Sequence, residues 1–222
     1  MIVLGFGVLL FGLLHGSAAV PQYKGYVKSQ LGERWYGPAF GVASLFAIAV
    51  IVLGWRSSSF LEVYDPPSSG WYVNYGLTFI GFLCVGVFLF RGSLRQRLRF
   101  PMGIAVIFWA VGHLFANGDL ASLILFGGLL LVACAHVVVA TANGIRPSPE
   151  VRIGHDGLSL IFGAALYGIM TQLHPALIGV PIFALEHDAS KLIDFGDNIM
   201  LQVIDFDHVY DFGLIQSKII VI

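Results

Sequence analysis

Four histidines lie inside strongly apolar stretches of the sequence, at His15, His113, His136 and His174. A polar side chain in such a stretch is costly unless it has a partner. Imidazole is the usual ligand of haem iron and a common ligand of other metals. A single histidine of this kind more often just bonds a neighbouring helix. Four together indicate that some of them bind a metal or haem.

The composition shows which elements must hold these histidines. The 222-residue chain is 57% hydrophobic and 11% charged, whereas a soluble domain has about 25% charged residues. So few charges cannot cover a soluble fold of this size. This excludes an ordinary soluble enzyme, a nucleic-acid-binding protein and a disordered chain. We predict an all-α, polytopic integral membrane helical bundle.

Proline, glycine and Asn-Gly-Asp breaks divide the sequence into six apolar segments, each close to the roughly 20 residues that cross a bilayer. They are residues 2–20, 37–54, 71–90, 101–117, 120–142 and 157–183. Residues 17–19, Ser-Ala-Ala, resemble a signal-peptide cleavage site, but no Lys or Arg precedes the first segment. We therefore expect that segment to be retained, giving about six transmembrane helices.

The Lys and Arg residues are distributed unevenly between these segments. The first, third and fifth connections hold nine of them, and the second and fourth hold one. Because basic residues concentrate on the cytoplasmic side, the odd-numbered connections are predicted to be cytoplasmic and both termini outside.

Residues 184–222 differ in composition from the rest and hold seven of the thirteen acidic residues. Asp205, Asp207 and His208 could form a metal site, but acidic tails are more often solvated. We predict a transmembrane domain, residues 1–183, followed by an acidic C-terminal tail, residues 184–222, to which no function is assigned.

The depth of each histidine in its helix indicates which ones could share a metal. At 1.5 Å per residue, His15 and His136 lie about 20 and 24 Å from the outer ends of their helices. His113 and His174 lie about 18–26 Å from the inner ends. Depth therefore pairs His15 with His136, and His113 with His174.

The neighbouring residues suggest a different pair. A flat porphyrin needs small residues one helical turn from its ligand, at i±3 and i±4. Space is greatest at His15 and His113, whose small neighbours are Gly12, Ala18, Ala19, Ala110 and Ala116. Close helix packing explains the same small residues equally well.

The turn and the charges near these helices have structural explanations of their own. Residues 117–119, Asn-Gly-Asp, predict a tight turn, with Asp119 capping the next helix. Arg95, Arg97 and Arg99 could pair with haem propionates on the inner side, although anchoring at the membrane surface also accounts for them.

The most specific stretch is residues 109–122, WAVGHLFANGDLAS, followed by LFGG at 125–128. Together with Leu-His at 14–15 and His-Pro at 174–175, it closely resembles the NnrU family of bacterial membrane proteins. That family is named for an association with nitrite and nitric oxide reduction. It includes the plant 15-cis-zeta-carotene isomerase, a membrane enzyme with a b-type haem.

This resemblance covers about residues 5–182 and implies a multi-pass protein of the bacterial inner (cytoplasmic) membrane. It implies haem b held by His15 and His113, and cis-trans isomerisation of a lipid-soluble polyene such as zeta-carotene. The alternative is a non-catalytic haem or redox membrane factor associated with denitrification. No catalytic residue is assigned. Ala110 stands where the plant enzyme has a cysteine one turn before its second histidine, so a ligand exchange through that position is not available. A membrane methyltransferase is disfavoured because Phe100 replaces the histidine of its Arg-His-Pro element.

Overall fold

The computed structural model describes residues 1–147 and 149–178, which are helical apart from short connections. The helices are α1 (Ile2–Ala18), α2 (Pro21–Leu31), α3 (Glu33–Arg56), α4 (Gly70–Leu89), α5 (Ser93–Leu98), α6 (Pro101–Ala116), α7 (Leu120–Ala142) and α8 (His155–Ile178). No strand occurs in the described ranges, and Glu62 and Asp119 form an isolated bridge. The predicted all-α membrane bundle is confirmed.

Each of the six predicted apolar segments contains a helix, but these helices differ in length. Four of them, α3, α4, α7 and α8, are long and apolar enough to cross a membrane. The helix α1 meets that criterion only together with α2, and the pair is bent by 95°. The 16-residue α6 is apolar but shorter. Among the described residues there are thus four spans, or five if the bent pair is one.

The helix α2 falls in what the sequence indicated as a connection. Pro21 occupies its first turn, where a missing N–H costs nothing, and Gly32, with φ of +82°, follows its last residue. The sequence of α2 is rich in tyrosine and lysine and has no apolar run, so hydropathy alone does not predict this helix.

The chain forms two compact units, Met1–Ile169 and Met170–Ile222, and the unit boundary falls within α8. The second unit is described only as far as Ile178. The predicted tail, the end of the sixth segment and the acids near His208 lie outside the described residues. The division at residue 183 therefore stays a prediction.

Glycines let the helices of the first unit approach closely. A Cβ on Gly54 of α3 would lie 2.4 Å from the backbone nitrogen of Leu4 in α1, and one on Gly7 would lie 2.8 Å from that of Ile51. These contacts make α1 and α3 antiparallel. Leu4, Val8, Ile51 and Ala121 form a buried core there.

The helix α7 packs against both α1 and α6, parallel to the first and antiparallel to the second. A Cβ on Gly12 would meet Val132, and one on Gly128 would meet Val8, so α1 and α7 are parallel. A Cβ on Gly103 of α6 would meet Val137, and His113 of α6 stacks on Phe126, so α6 runs antiparallel to α7.

The turn between α6 and α7 confirms the predicted cap. The backbone N–H of Ser122 donates to the Asp119 carboxylate at 3.0 Å, and the Ser122 hydroxyl donates to it as well. The segment between α3 and α4 folds over this turn, where Val63 N–H donates to the Gly118 carbonyl at 2.9 Å.

Large apolar side chains cover the outer surface of the helices. Leu131 is 71% exposed and Val42 is 68% exposed. Such a continuous apolar surface suits lipid rather than water as the surrounding solvent. The chain is a multi-pass membrane protein.

Candidate functional site

The imidazole of His15 lies near the C-terminal end of α1, among aromatic rings. Its Nδ1–H donates to the Phe11 carbonyl at 3.0 Å. The ring stacks on Phe11 with centroids 3.9 Å apart and meets the edge of Phe40 at 5.2 Å. The aromatic contacts of His15 are therefore with its own helix and with α3.

His136 connects α7 to α1. Its Nδ1–H donates to the carbonyl oxygen of His15 at 3.1 Å. Such a bond fixes the orientation and tautomer of an imidazole and leaves Nε2 as the nitrogen that can donate its electron pair to a metal. The structure thus brings together the two residues that depth alone pairs.

His113 lies in a separate aromatic environment on α6. Its Nδ1–H donates to the Trp109 carbonyl at 2.8 Å, and its ring stacks on Phe126 with centroids 4.4 Å apart. The Trp109 ring lies 5.0 Å from it.

The helix register separates His113 from His15. His15 is level with His136 on α7, whereas His113 is level with Phe126, ten residues earlier on the same helix. Ten residues correspond to about 15 Å along a helix axis. The structure does not bring His15 and His113 together, and their joint ligation of one iron stays a prediction.

His174 lies on α8 in the second compact unit. Its pairing with His113 by depth also stays a prediction.

An open apolar groove of about 510 Å³ runs between α1 and α7. Its volume is within the 300–1,000 Å³ typical of small-molecule sites. A Cβ on Gly5 or Gly16 would meet nothing within 4 Å, so these glycines leave the groove wide. It is lined by Gly5, Val8, Leu9, Gly12, Leu13, Gly16, Ile124, Gly128, Leu131, Val132, Ala135, His136 and Val139.

Among the described residues that line the groove, His136 is the one with a titratable side chain. It also borders a second cavity, a cleft of about 170 Å³ near the start of α6. This basic cleft is lined by Phe88, Arg95, Arg99, Phe100, Pro101, Met102, Gly103, His136, Ile145, Arg146 and Pro147. An apolar groove and a basic cleft therefore meet at one imidazole.

The imidazole of His136 is better suited to bind haem iron than to form part of a metal site with several protein ligands. No group of three or more His, Cys, Asp or Glu side chains that could hold a metal ion occurs in the described part of the chain. His136 presents a fixed imidazole in an apolar groove with Gly12, Gly16 and Ala135 nearby, which fits a flat apolar group. Arg95 and Arg99, the predicted propionate partners, line the adjoining cleft, and Arg97 does not.

The glycines of α1 are the residues from which the groove could have been predicted, but they fit close helix packing equally well. Gly5, Gly12 and Gly16 share one face of α1, a pattern also typical of close helix contacts. Only Gly12 meets a neighbour, Val132, whereas Gly5 and Gly16 open into the groove.

Comparison with known proteins supports the resemblance seen in the sequence. A family model described as NnrU protein matches residues 3–182. No curated protein and no solved structure matches the chain.

Proposed function

The chain belongs to the NnrU family, and from this we propose that it is a bacterial inner-membrane protein that binds haem b and isomerises a lipid-soluble polyene such as zeta-carotene between cis and trans forms. The observation that carries the proposal is the groove between α1 and α7, which is apolar and contains His136. An extended hydrocarbon can enter such a groove directly from the bilayer. The chemistry that haem iron supplies when bound is a lower barrier to rotation about a double bond.

His136 is the residue that we expect to hold the haem in this groove. Its Nδ1–H donates to the His15 carbonyl, 3.1 Å away, so its Nε2 is the nitrogen that would hold haem iron. His15 would then position the ligand through its backbone, and Gly16, where a Cβ would meet nothing within 4 Å, would make room for the ring. The family resemblance instead assigns the two ligands to His15 and His113.

A second candidate function concerns His15, whose carbonyl oxygen accepts the Nδ1–H of His136 and which does not itself line the groove. If the imidazoles of His15 and His136 both held one iron, no substrate could reach that iron. The protein would then be a non-catalytic haem or redox factor associated with denitrification.

An absorption spectrum of the detergent-purified protein from haem-replete cells, with a pyridine haemochrome assay, tests haem binding. We expect a Soret band and b-type haemochrome bands. A colourless protein would overturn the haem assignment and leave the histidines as packing residues.

Three single variants, His15→Ala, His113→Ala and His136→Ala, distinguish the ligand sets. If the groove holds haem, His136→Ala loses the Soret band and His113→Ala keeps it. Loss in His15→Ala and His113→Ala, with retention in His136→Ala, would contradict the groove assignment and support the family pair. Thermal unfolding of each variant separates a lost ligand from a lost fold.

Conversion of a cis polyene in liposomes then separates the isomerase from the redox factor. An isomerase converts the substrate only when haem is bound, and its iron has an open or displaceable axial position. A six-coordinate, low-spin spectrum with no conversion in either oxidation state would favour the redox factor.

A further inference from the structure

The basic cleft gathers three arginines from three parts of the chain. Arg95 belongs to α5, Arg99 lies between α5 and α6, and Arg146 follows α7. Arg95 lies over the ring of Phe88, with its guanidinium carbon 5.4 Å from the ring centroid, and Arg99 lies over Phe100 at 5.0 Å. The cleft therefore combines cationic groups with an aromatic floor.

The structure holds Arg99 in place at some conformational cost. Its φ is +59°, which is uncommon for a residue other than glycine. Its Nε–H donates to the carbonyl of Ile145 at 2.8 Å, in the connection after α7. Unfavourable backbone conformations of this kind concentrate at ligand sites.

Within residues 1–147 and 149–178, no acidic side chain forms an ion pair with these arginines. No carboxylate lines the cleft, and the two ion pairs between described residues join Lys28 to Glu33 and Arg91 to Glu150. A bound anion would therefore meet three arginines that no described carboxylate pairs with. A phosphate, with several acceptor oxygens, suits such a group of guanidinium donors.

The position of the cleft favours a lipid as the source of that phosphate. It lies where α4 ends and α6 begins, with Phe88, Pro101 and Met102 in its wall. The apolar residues of the cleft therefore lie beside its arginines at the ends of two apolar helices, which is the depth at which lipid headgroups lie. Basic pockets between helices on the cytoplasmic side typically bind anionic headgroups, and this end of the bundle is the one predicted to be cytoplasmic.

We propose that the cleft formed by Arg95, Arg99 and Arg146 binds the phosphate of an anionic phospholipid, whose acyl chains remain in the bilayer. This site adjoins the proposed haem groove, with which it shares His136, but phosphate binding to its arginines does not require haem. Its occupant would brace the start of α6 against the connection that follows α7.

Native mass spectrometry of the delipidated full chain, titrated with phosphatidylglycerol or phosphatidylcholine, tests the proposal. We expect selective binding of phosphatidylglycerol. The variant Arg95→Gln/Arg146→Gln removes two cations and should bind it roughly 30-fold more weakly, taking about 1 kcal/mol for each basic residue. Arg99 is left intact because its side chain also bonds Ile145.

The matched control is Arg97→Gln/Arg152→Gln, which removes the same charge from nearby exposed residues outside the cleft. Its affinity should equal that of the unmodified chain. Equal weakening of both double variants would overturn the site in favour of a diffuse surface charge. Equal binding of the two lipids would also overturn it.

A variant that keeps the charge and a titration with inorganic phosphate complete the test. Arg95→Lys/Arg146→Lys keeps the charge and should retain part of the affinity, whereas a misfolded double variant would lose its thermal transition. If inorganic phosphate alone saturates the cleft with the same arginine dependence, the lipid assignment is wrong.

Discussion

Three histidines use the same bond in two different ways. His15 and His113 each donate Nδ1–H to a carbonyl four residues earlier in their own helix, whereas His136 donates to the carbonyl of His15 in another helix. All three bonds fix the orientation and the tautomer of their imidazole rings. The third also links α7 to α1, which is why His136 can position a ligand and support the groove at once.

Tyr64 offers a test of a single polar contact away from the membrane-spanning helices. Its hydroxyl lies within hydrogen-bonding range of the carbonyl oxygens of Leu114 and Asn117, at the C-terminal end of α6. Removing this donor in Tyr64→Phe should lower the free energy of unfolding by about 0.5–1.5 kcal/mol. Thermal unfolding in detergent measures this, and Tyr23→Phe, at an exposed position of α2, should leave the midpoint unchanged.

The same residue predicts an alkaline dependence of stability. Burial raises the pKa of the Tyr64 hydroxyl, and the nearby Asp119 carboxylate raises this pKa further. The folded state thus favours the neutral phenol. Its contribution is complete below the ordinary tyrosine pKa of about 10 and is lost as pH rises towards the raised value. The melting temperature of Tyr64→Phe should therefore fall less at alkaline pH than that of the unmodified protein. Identical pH profiles for the two proteins would contradict this.

The helices are the elements that the sequence predicts best, because each apolar run in the sequence corresponds to one helix. The helix α2 was not predicted, since its residues Tyr23, Lys24 and Lys28 show no apolar run. The groove was not predicted either, because Gly5 and Gly16 look the same in sequence whether they face a helix or open space. The separation of His15 from His113 depends on the register between α1, α6 and α7, which one sequence does not specify. Counting residues from the helix ends places His15 and His136 at similar depths, and in the structure the imidazole of His136 bonds the carbonyl of His15.

The pair α4 and α8 shows how strictly glycine is required at one position. A Cβ on Gly86 of α4 would lie 2.0 Å from the carbonyl oxygen of Ser159 in α8, so Gly86→Ala must separate two backbones. Overpacking of this kind costs about 1–3 kcal/mol, and the thermal midpoint in detergent should fall accordingly. Gly76→Ala is the matched control in the same helix, because a Cβ there meets nothing within 4 Å. An equal response of the two variants would show that helix propensity, not helix contact, sets the effect.

The whole molecule separates its connections into two ends. The turn after α6 and the segment before α4 touch each other, through Tyr64 and the carbonyl oxygens of Leu114 and Asn117. The register of α1, α6 and α7 places the basic connections at the opposite end, close to the cleft of Arg95, Arg99 and Arg146. The alternation of charge along the sequence thus corresponds to a separation in space, which the positive-inside rule requires.

Cysteine labelling tests which end faces the cytoplasm. Ser29 lies on α2 at the basic end, Ser68 lies in the segment before α4, and both are exposed. In a Cys134→Ser background, a membrane-impermeant maleimide should label Ser68→Cys in intact spheroplasts and Ser29→Cys only after lysis. Buried Cys84 should stay unlabelled in both samples. The reverse pattern would put the arginine cleft on the outer face and remove the cytoplasmic-leaflet argument for its lipid. The expected pattern would place all nine basic connection residues and the cleft against the same leaflet.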